Sequence, residues 1–150
     1  MYSTAVEFKS ATSIIEQCEA DFVAVVAGAT PFRESPVQIL FGEAKMGIEF
    51  NTDDVRKLSK LADAVPSDLA DTFIMFAKTE AFTDGEARLA QTLNSQYRKR
   101  VILLSVDELE PYYVYERSEK RLGHDAIATT LTDMAQVTHR LWFAPTPLAG

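Results

Sequence analysis

Cysteine is nearly absent from this chain. The one thiol, Cys18 in 150 residues, excludes an internal disulfide and any multi-cysteine zinc site. By residue type it reads as a small buried hydrophobe in a protein suited to a reducing, cytoplasmic setting. No apolar run approaches the roughly 18 residues of a membrane span, and the opening MYSTAVEFKS lacks the basic and apolar regions of a signal peptide, so no membrane is expected. The phosphate loops GxGxxG and GxxxxGK are missing, and so is the GxSxG elbow of serine hydrolases. His124 and His139 have no cysteine partner nearby and no HxxxH spacing, which points to structural or exposed histidines rather than ligands. Positive charge is short as well. With 15 Lys and Arg against 22 Asp and Glu, the net charge of −7 repels a polyanion on average. That counts against a free-standing DNA binder, unless basic residues gather locally or a neighbouring domain or subunit supplies the grip.

What is present is ample for a core. A composition of 47% hydrophobic and 25% charged residues is that of an ordinary globular protein. A chain of this length buries roughly 68–70% of the surface its unfolded form exposes. Gly and Pro are scattered as punctuation, with no linker, repeat or low-complexity segment. Residues 1–150 therefore read as a single domain, either whole or a piece of a larger protein.

In chain order, residues 1–20 carry both a strand-like alternation at Val6 and Phe8 and a helical stripe, and are expected to form a short strand and then a helical turn. ADFVAVVA predicts a strand over about 21–27, and a second over about 37–46 pairs with it in hairpin fashion across a loop holding Gly28, Pro31 and Pro36. Val55, Leu58, Leu61, Ala62 and Val65 share one helical face, with Thr52 or Asp53 as the N-cap and Pro66 closing the helix. TFIMFA (72–77) and VILLSV (101–106) are short continuous apolar runs of the kind buried in parallel sheets. Between them, Thr83 and Glu86 are spaced as a capping box before Leu89, Ala90 and Leu93. YYVYE after Pro111 fits an edge strand, and a closing helix is expected from about 124 to 142. Strand, helix, strand, helix, strand over 37–106 implies an α/β fold with a mixed central sheet flanked by helices.

One stretch is oddly charged. In VQILFGEAKMGIEF (37–50) a strand-like run ends in Glu43-Ala44-Lys45, with carboxylate and ammonium two positions apart and so on one face of an extended chain. Asp21 begins the preceding strand, 43 − 21 = 22 residues earlier. If the two strands pair antiparallel, Asp21 and Glu43 meet at one end of the sheet. Two carboxylates, with the Ala44 carbonyl as a further oxygen, suit Mg²⁺ or Mn²⁺, which keep several waters and share substrate phosphate oxygens. Lys45 beside them would orient an attacking water or stabilise developing charge.

The pattern Glu19-Ala20-Asp21 before FVAVV, then ILF-Gly42-Glu43-Ala44-Lys45, then an amphipathic helix and a buried strand, resembles the PD-(D/E)xK, or restriction-endonuclease-like, superfamily. The resemblance spans residues 19–77 by motif and element order, and reaches about 110 by element order alone. It implies a restriction-endonuclease-like core and a Mg²⁺- or Mn²⁺-dependent nuclease acting on nucleic acid, with DNA as the first expectation. It implies metal binding by Asp21 and Glu43, with Lys45 assisting the attacking water. There are departures. Ala20 stands where the family often has Pro, and the family core opens with a helix that residues 1–20 do not clearly supply. Either the opening segment is that helix, or the helix lies outside this chain. Some relatives carry a glutamate there as an extra metal ligand; Glu7 or Glu16 would be the counterpart, without a specific signature.

Arg56, Lys57 and Lys60 follow the charged strand on a helix and are candidates to track a phosphate backbone; Arg98, Lys99 and Arg100 form a second basic group. Tyr112, Tyr113 and Tyr115 would stack on unpaired bases or pack at an edge strand. Two plainer readings stand beside the nuclease. Glu43 and Lys45 would be a solvated pair at a strand end and Asp21 a turn residue, or the domain would keep the fold and bind nucleic acid or protein without cutting it.

Overall fold

A mixed sheet runs through the protein. The computed structural model describes residues 2–8, 18–27, 29–30, 33–34, 37–98, 100–109 and 130–144. In chain order its strands are β1 (Tyr2–Phe8), β2 (Cys18–Val26), β3 (Ala29–Thr30), β4 (Arg33–Glu34), β5 (Val37–Lys45), β6 (Ala70–Lys78) and β7 (Val101–Leu104). Five of these make the sheet, in the order β1-β2-β5-β6-β7, while β3 and β4 form a separate two-stranded arm between β2 and β5. The first three strands of the sheet are antiparallel neighbours, and β5-β6 and β6-β7 are parallel. The helices are α1 (Thr52–Asp63), α2 (Asp84–Gln96), the single turn α3 (Val106–Leu109) and α4 (Leu131–Thr138), which runs into a π-helical turn over His139–Phe143.

The core lies on both faces of the sheet. On one, Leu58, Leu61 and Ala62 of α1 and Ala90 and Leu93 of α2 pack on Phe41, Ile74, Phe76, Val101 and Leu103, with Phe50, Phe82 and Phe143 completing the layer. On the other, Ala135, Leu131 and Met134 of α4 cover Leu40, Phe73, Met75 and Ile102. Burying each of these larger side chains contributes about 1.5–3 kcal/mol. The central position of β6 explains its near-continuous apolar sequence. At Gly42, an added Cβ would fall on the ring of Phe22, its antiparallel partner, so only glycine admits that ring.

Most expected elements are present, with shifted ends. The N-cap of α1 is Asn51, one residue before the expected Thr52 and two before Asp53. Its Oδ1 accepts from the Asp53 and Asp54 amides at 2.8 and 3.2 Å, and Asp54 Oδ2 accepts from Asn51 N–H at 3.0 Å. Asparagine with an acid three residues on forms a reciprocal box that neither alternative offers. Thr83 and Glu86 form the expected box on α2. The strand predicted over 101–106 stops at Leu104, because Glu108 accepts from Ser105 N–H at 2.8 Å and from its hydroxyl, which turns Val106 into a helix. The strand predicted from about 21 begins earlier, at Cys18, and the opening residues do form a strand. The closing helix, expected from about 124, has its cap at Thr130, bonded reciprocally to Asp133, so its described part is Leu131–Thr138. The helical turn expected before residue 18, the Cys18 side chain, the loop residues Gly28, Pro31 and Pro36, and YYVYE lie outside the described residues.

The buried ends of β6 and α2 are tied by charge. Lys78 Nζ lies 2.9 and 3.0 Å from the two carboxylate oxygens of Glu86, and both side chains are almost wholly buried. Glu86 also accepts from the amides of Phe50 and Thr83, each at 2.8 Å. Burial alone would raise its pKa, but the hydrogen bonds from Thr83, Lys78 and Phe50 outweigh that and hold it low. Removing one partner strands a buried charge. Glu86→Ala is therefore expected to cost about 3–5 kcal/mol, read as the fall in urea-denaturation stability.

Candidate active site

The C-terminal ends of the parallel strands β5 and β6 gather the charges. The register sets Lys45 opposite Lys78 and Glu43 opposite Phe76. On the other side, β2 and β5 pair as far as Phe22 and Gly42; beyond that, the Asp21 side chain takes up β5, its Oδ2 accepting from Ala44 N–H at 2.7 Å. The antiparallel pairing of β2 and β5 thus brings Asp21, the fourth residue of β2 and not its first as expected, to the end of β5. Asp21, Ala44, Glu43 and Lys45 fall in one place.

Lys45 is the hub. Its Nζ donates to Glu43 Oε1 at 2.8 Å and to Asp54 Oδ1 at 3.0 Å. The lysine side chain is 16% exposed, Glu43 11% and Asp54 4%, so this is a mostly desolvated cluster open on one side. Asp54 reaches the lysine because the reciprocal cap with Asn51 fixes its carboxylate at the start of α1. The loop between β5 and α1 is held by Gly47 N–H on Glu80 at 3.0 Å and by Phe50 N–H on Glu86.

Electrostatics at the cluster are unbalanced. Burial raises the Glu43 pKa first; its hydrogen bond to Lys45 opposes that, and the charges of Asp21 and Asp54 push it further up, leaving it above its ordinary value of 4.5. At Lys45 burial alone would lower the pKa, but the hydrogen bonds and charges of Glu43 and Asp54 outweigh it and raise it above 10.5, so the ammonium stays charged at neutral pH. Glu43 and Asp54 share this one ammonium, Asp21 stands close enough to Glu43 to push its pKa up, and the excess is negative.

That excess is the test of fit for a divalent cation. Among the described residues, no three His, Cys, Asp or Glu side chains are grouped so as to cage a metal. Asp21 uses Oδ2 and Glu43 uses Oε1 in hydrogen bonds, and among the described residues neither second oxygen has a partner. Two neighbouring carboxylates, each with an oxygen to spare, together with the Ala44 carbonyl would make a partial oxygen set of the kind Mg²⁺ completes with water and phosphate. The donor set fits.

The basic residues divide. Arg56, Lys57 and Lys60 lie on α1, with Arg56 and Lys57 exposed; Arg56 also contacts Asp53 at 3.3 Å. Arg98 and Arg100 lie at the opposite end of the sheet, before β7, where Arg100 pairs with Asp71 at 2.6 Å, and so do not extend the same surface. Tyr112, Tyr113, Tyr115, Glu16, Lys99 and the Glu7 side chain lie outside what is described. Two contacts are not picked out from the sequence: that of Asp54 with Lys45, and that of Lys78 with Glu86, which the sequence marks only as a capping residue. Asn51-x-x-Asp54 is a capping signature, and Lys78 ends an apolar run just as Lys45 does, so both carried a readable signal.

No protein-family model and no curated protein matches the chain. A solved structure similar to it is that of the MspJI restriction endonuclease in complex with a 27-mer oligonucleotide, at 12% identity and a TM-score of 0.43, over 94% of this chain and 28% of that one. The chain spans less than a third of that protein's length, and a likeness at this level leaves the site to be judged on its own geometry. Among the described residues, no helix is long and apolar enough to cross a membrane.

Because the folded chain holds the Glu43 proton more tightly than the unfolded chain does, ionising Glu43 costs stability at pH values above its raised pKa, and that cost disappears as the pH falls below 4.5. Glu43→Gln is expected to raise the urea-denaturation midpoint at about pH 7 and to lose this advantage at about pH 4. The same advantage at both values would contradict the assignment.

Proposed function

We propose that the chain is a divalent-metal-dependent nuclease of restriction-endonuclease-like fold, hydrolysing phosphodiester bonds of nucleic acid, with DNA as the first substrate to test. The observation that carries this reading is the junction of β2 and β5, where the Asp21 carboxylate binds the Ala44 amide beside Glu43, and Lys45 is fixed between Glu43 and Asp54. Asp21, Glu43 and the Ala44 carbonyl would hold Mg²⁺ or Mn²⁺. When bound, such an ion polarises a phosphoryl oxygen and lowers the pKa of a water.

The chain's own groups do the rest. Lys45 has three N–H donors, of which Glu43 and Asp54 engage two. The third is left for the attacking water or a non-bridging phosphate oxygen, and its aim is set in advance because strand and helix both hold the nitrogen. The raised pKa keeps Lys45 a donor and a cation as charge develops on the phosphate. Arg56, Lys57 and Lys60 on α1 take up flanking phosphates. Residues 1–150 act as one nuclease-like domain, whole or a piece of a larger protein, and with a chain charge of −7 a neighbouring domain or subunit supplies the remaining grip on substrate.

A second reading, a domain of the same fold that binds nucleic acid or protein without cutting, is favoured by one feature: the Lys45 charge is already answered by two carboxylates. Cleavage separates the two. On a panel of single- and double-stranded DNA and RNA, the wild type is expected to cut at least one substrate in Mg²⁺ or Mn²⁺ and none in EDTA. Lys45→Ala should lower the rate by about 10²–10³-fold. Full activity in Lys45→Ala or Glu43→Ala would overturn the nuclease reading.

A further inference from the structure

At the end of the sheet away from the carboxylates, a groove of about 490 Å³ opens between the C-terminal ends of α1 and α2 and the first residues of β6. That volume is in the range of sites for small organic ligands. Val65 and Pro66 give it an apolar wall, and Thr72, Gln96, Arg98 and Arg100 give it donors. Two guanidinium groups line this one groove, Arg100 paired with Asp71 and Arg98 without a carboxylate partner among the described residues.

Both arginines are set up rather than loosely tethered. Arg100 is fixed by Asp71 at 2.6 Å and lies 5.8 Å over the Phe73 ring, which occupies part of its five-donor fork. Arg98 has φ of 52°, the left-handed conformation that usually goes to glycine just past a helix. The turn that imposes it is closed by Arg100 N–H on Tyr97 O at 3.2 Å and fastened by Val101 N–H on Asn94 Oδ1 at 3.3 Å. Glycine would meet this backbone without strain; arginine brings a charge there instead. Among the described residues, no carboxylate pairs with Arg98. The one acid lining the groove, Asp63, accepts from the Tyr97 hydroxyl at 2.6 Å, and burial together with that contact raises the Tyr97 pKa and keeps it a donor.

We infer that this groove binds a phosphate monoester of nucleotide size, its phosphate taken by Arg98 and Arg100 and its remainder lying against Val65 and Pro66. Planar guanidinium forks match phosphate oxygens in pairs, which makes a groove lined by two arginines a phosphate site more readily than a site for a neutral ligand. The ester is either a free nucleoside monophosphate or the 5′-phosphate end of a strand. The inference stands apart from the proposed cleavage, since it uses none of Asp21, Glu43 or Lys45.

Titration calorimetry on the full chain in EDTA tests it, with deoxyadenosine monophosphate as one probe and a short single-stranded oligonucleotide, with and without a 5′-phosphate, as the other. Saturable binding of the monophosphate, or of the oligonucleotide only when phosphorylated, is expected, and which one binds names the source. Arg98→Gly should weaken it by about tenfold or more while the variant folds at least as stably as the wild type, because glycine relieves the left-handed backbone. Arg88→Ala, at an exposed arginine of α2 outside both sites, should bind as the wild type does. No binding of either phosphorylated probe at millimolar concentration, undiminished binding in Arg98→Gly, or an equal loss of binding in Arg88→Ala would each overturn the inference.

Discussion

Two lysines end the central strands side by side, and each is held by a carboxylate brought from the first turn of a helix. Lys45 of β5 meets Asp54 of α1, and Lys78 of β6 meets Glu86 of α2. In each case the carboxylate is also the reciprocal partner of that helix's N-cap, so one group satisfies backbone donors and a buried cation together. The sheet and its two helices cannot slip past one another without breaking these contacts. The geometry of the Asp21, Glu43 and Lys45 cluster depends on that constraint, because Lys45 is placed from the strand by Glu43 and from the helix by Asp54.

The two pairs differ in what they leave over. Around Lys78 the account is closed: Glu86 is nearly inaccessible and its hydrogen bonds hold its pKa low, which marks a stabilised ion. Around Lys45 it is open, since Glu43 and Asp54 divide one ammonium with Asp21 close by, Glu43 is pushed the other way, and the cluster keeps some access to solvent. A closed ion pair and a more open cluster with an excess of negative charge thus stand on adjacent strands, built from the same residue types. The difference is the third and fourth charge, not the lysine.

Much of this was legible in the sequence for definite reasons. Continuous apolar runs at Thr72–Ala77 and from Val101 mark buried parallel strands, and the 3.6-residue stripe from Val55 to Val65 marks α1, because burial on two faces or on one leaves those periods in the sequence. Asp21 and Glu43 were legible as a pair because antiparallel pairing joins the start of one strand to the end of the next. The element ends were less so. Ser105 with Glu108, and Asn51 with Asp54, show local side-chain caps deciding where a strand stops or a helix starts, against the run of apolar character. Asp54 as a partner of Lys45 was hidden for another reason: a helix-start aspartate looks the same in sequence whether it faces water or a buried ammonium nine residues back.

The central claim is that Asp21 and Glu43 form one cation site, and direct binding of Mn²⁺ to the full chain, followed by electron paramagnetic resonance, tests it without any substrate. One saturable site is predicted in the wild type, weakened about tenfold or more in both Asp21→Asn and Glu43→Gln. Equal Mn²⁺ binding by the wild type and both variants, or none by the wild type at millimolar Mn²⁺, would contradict it.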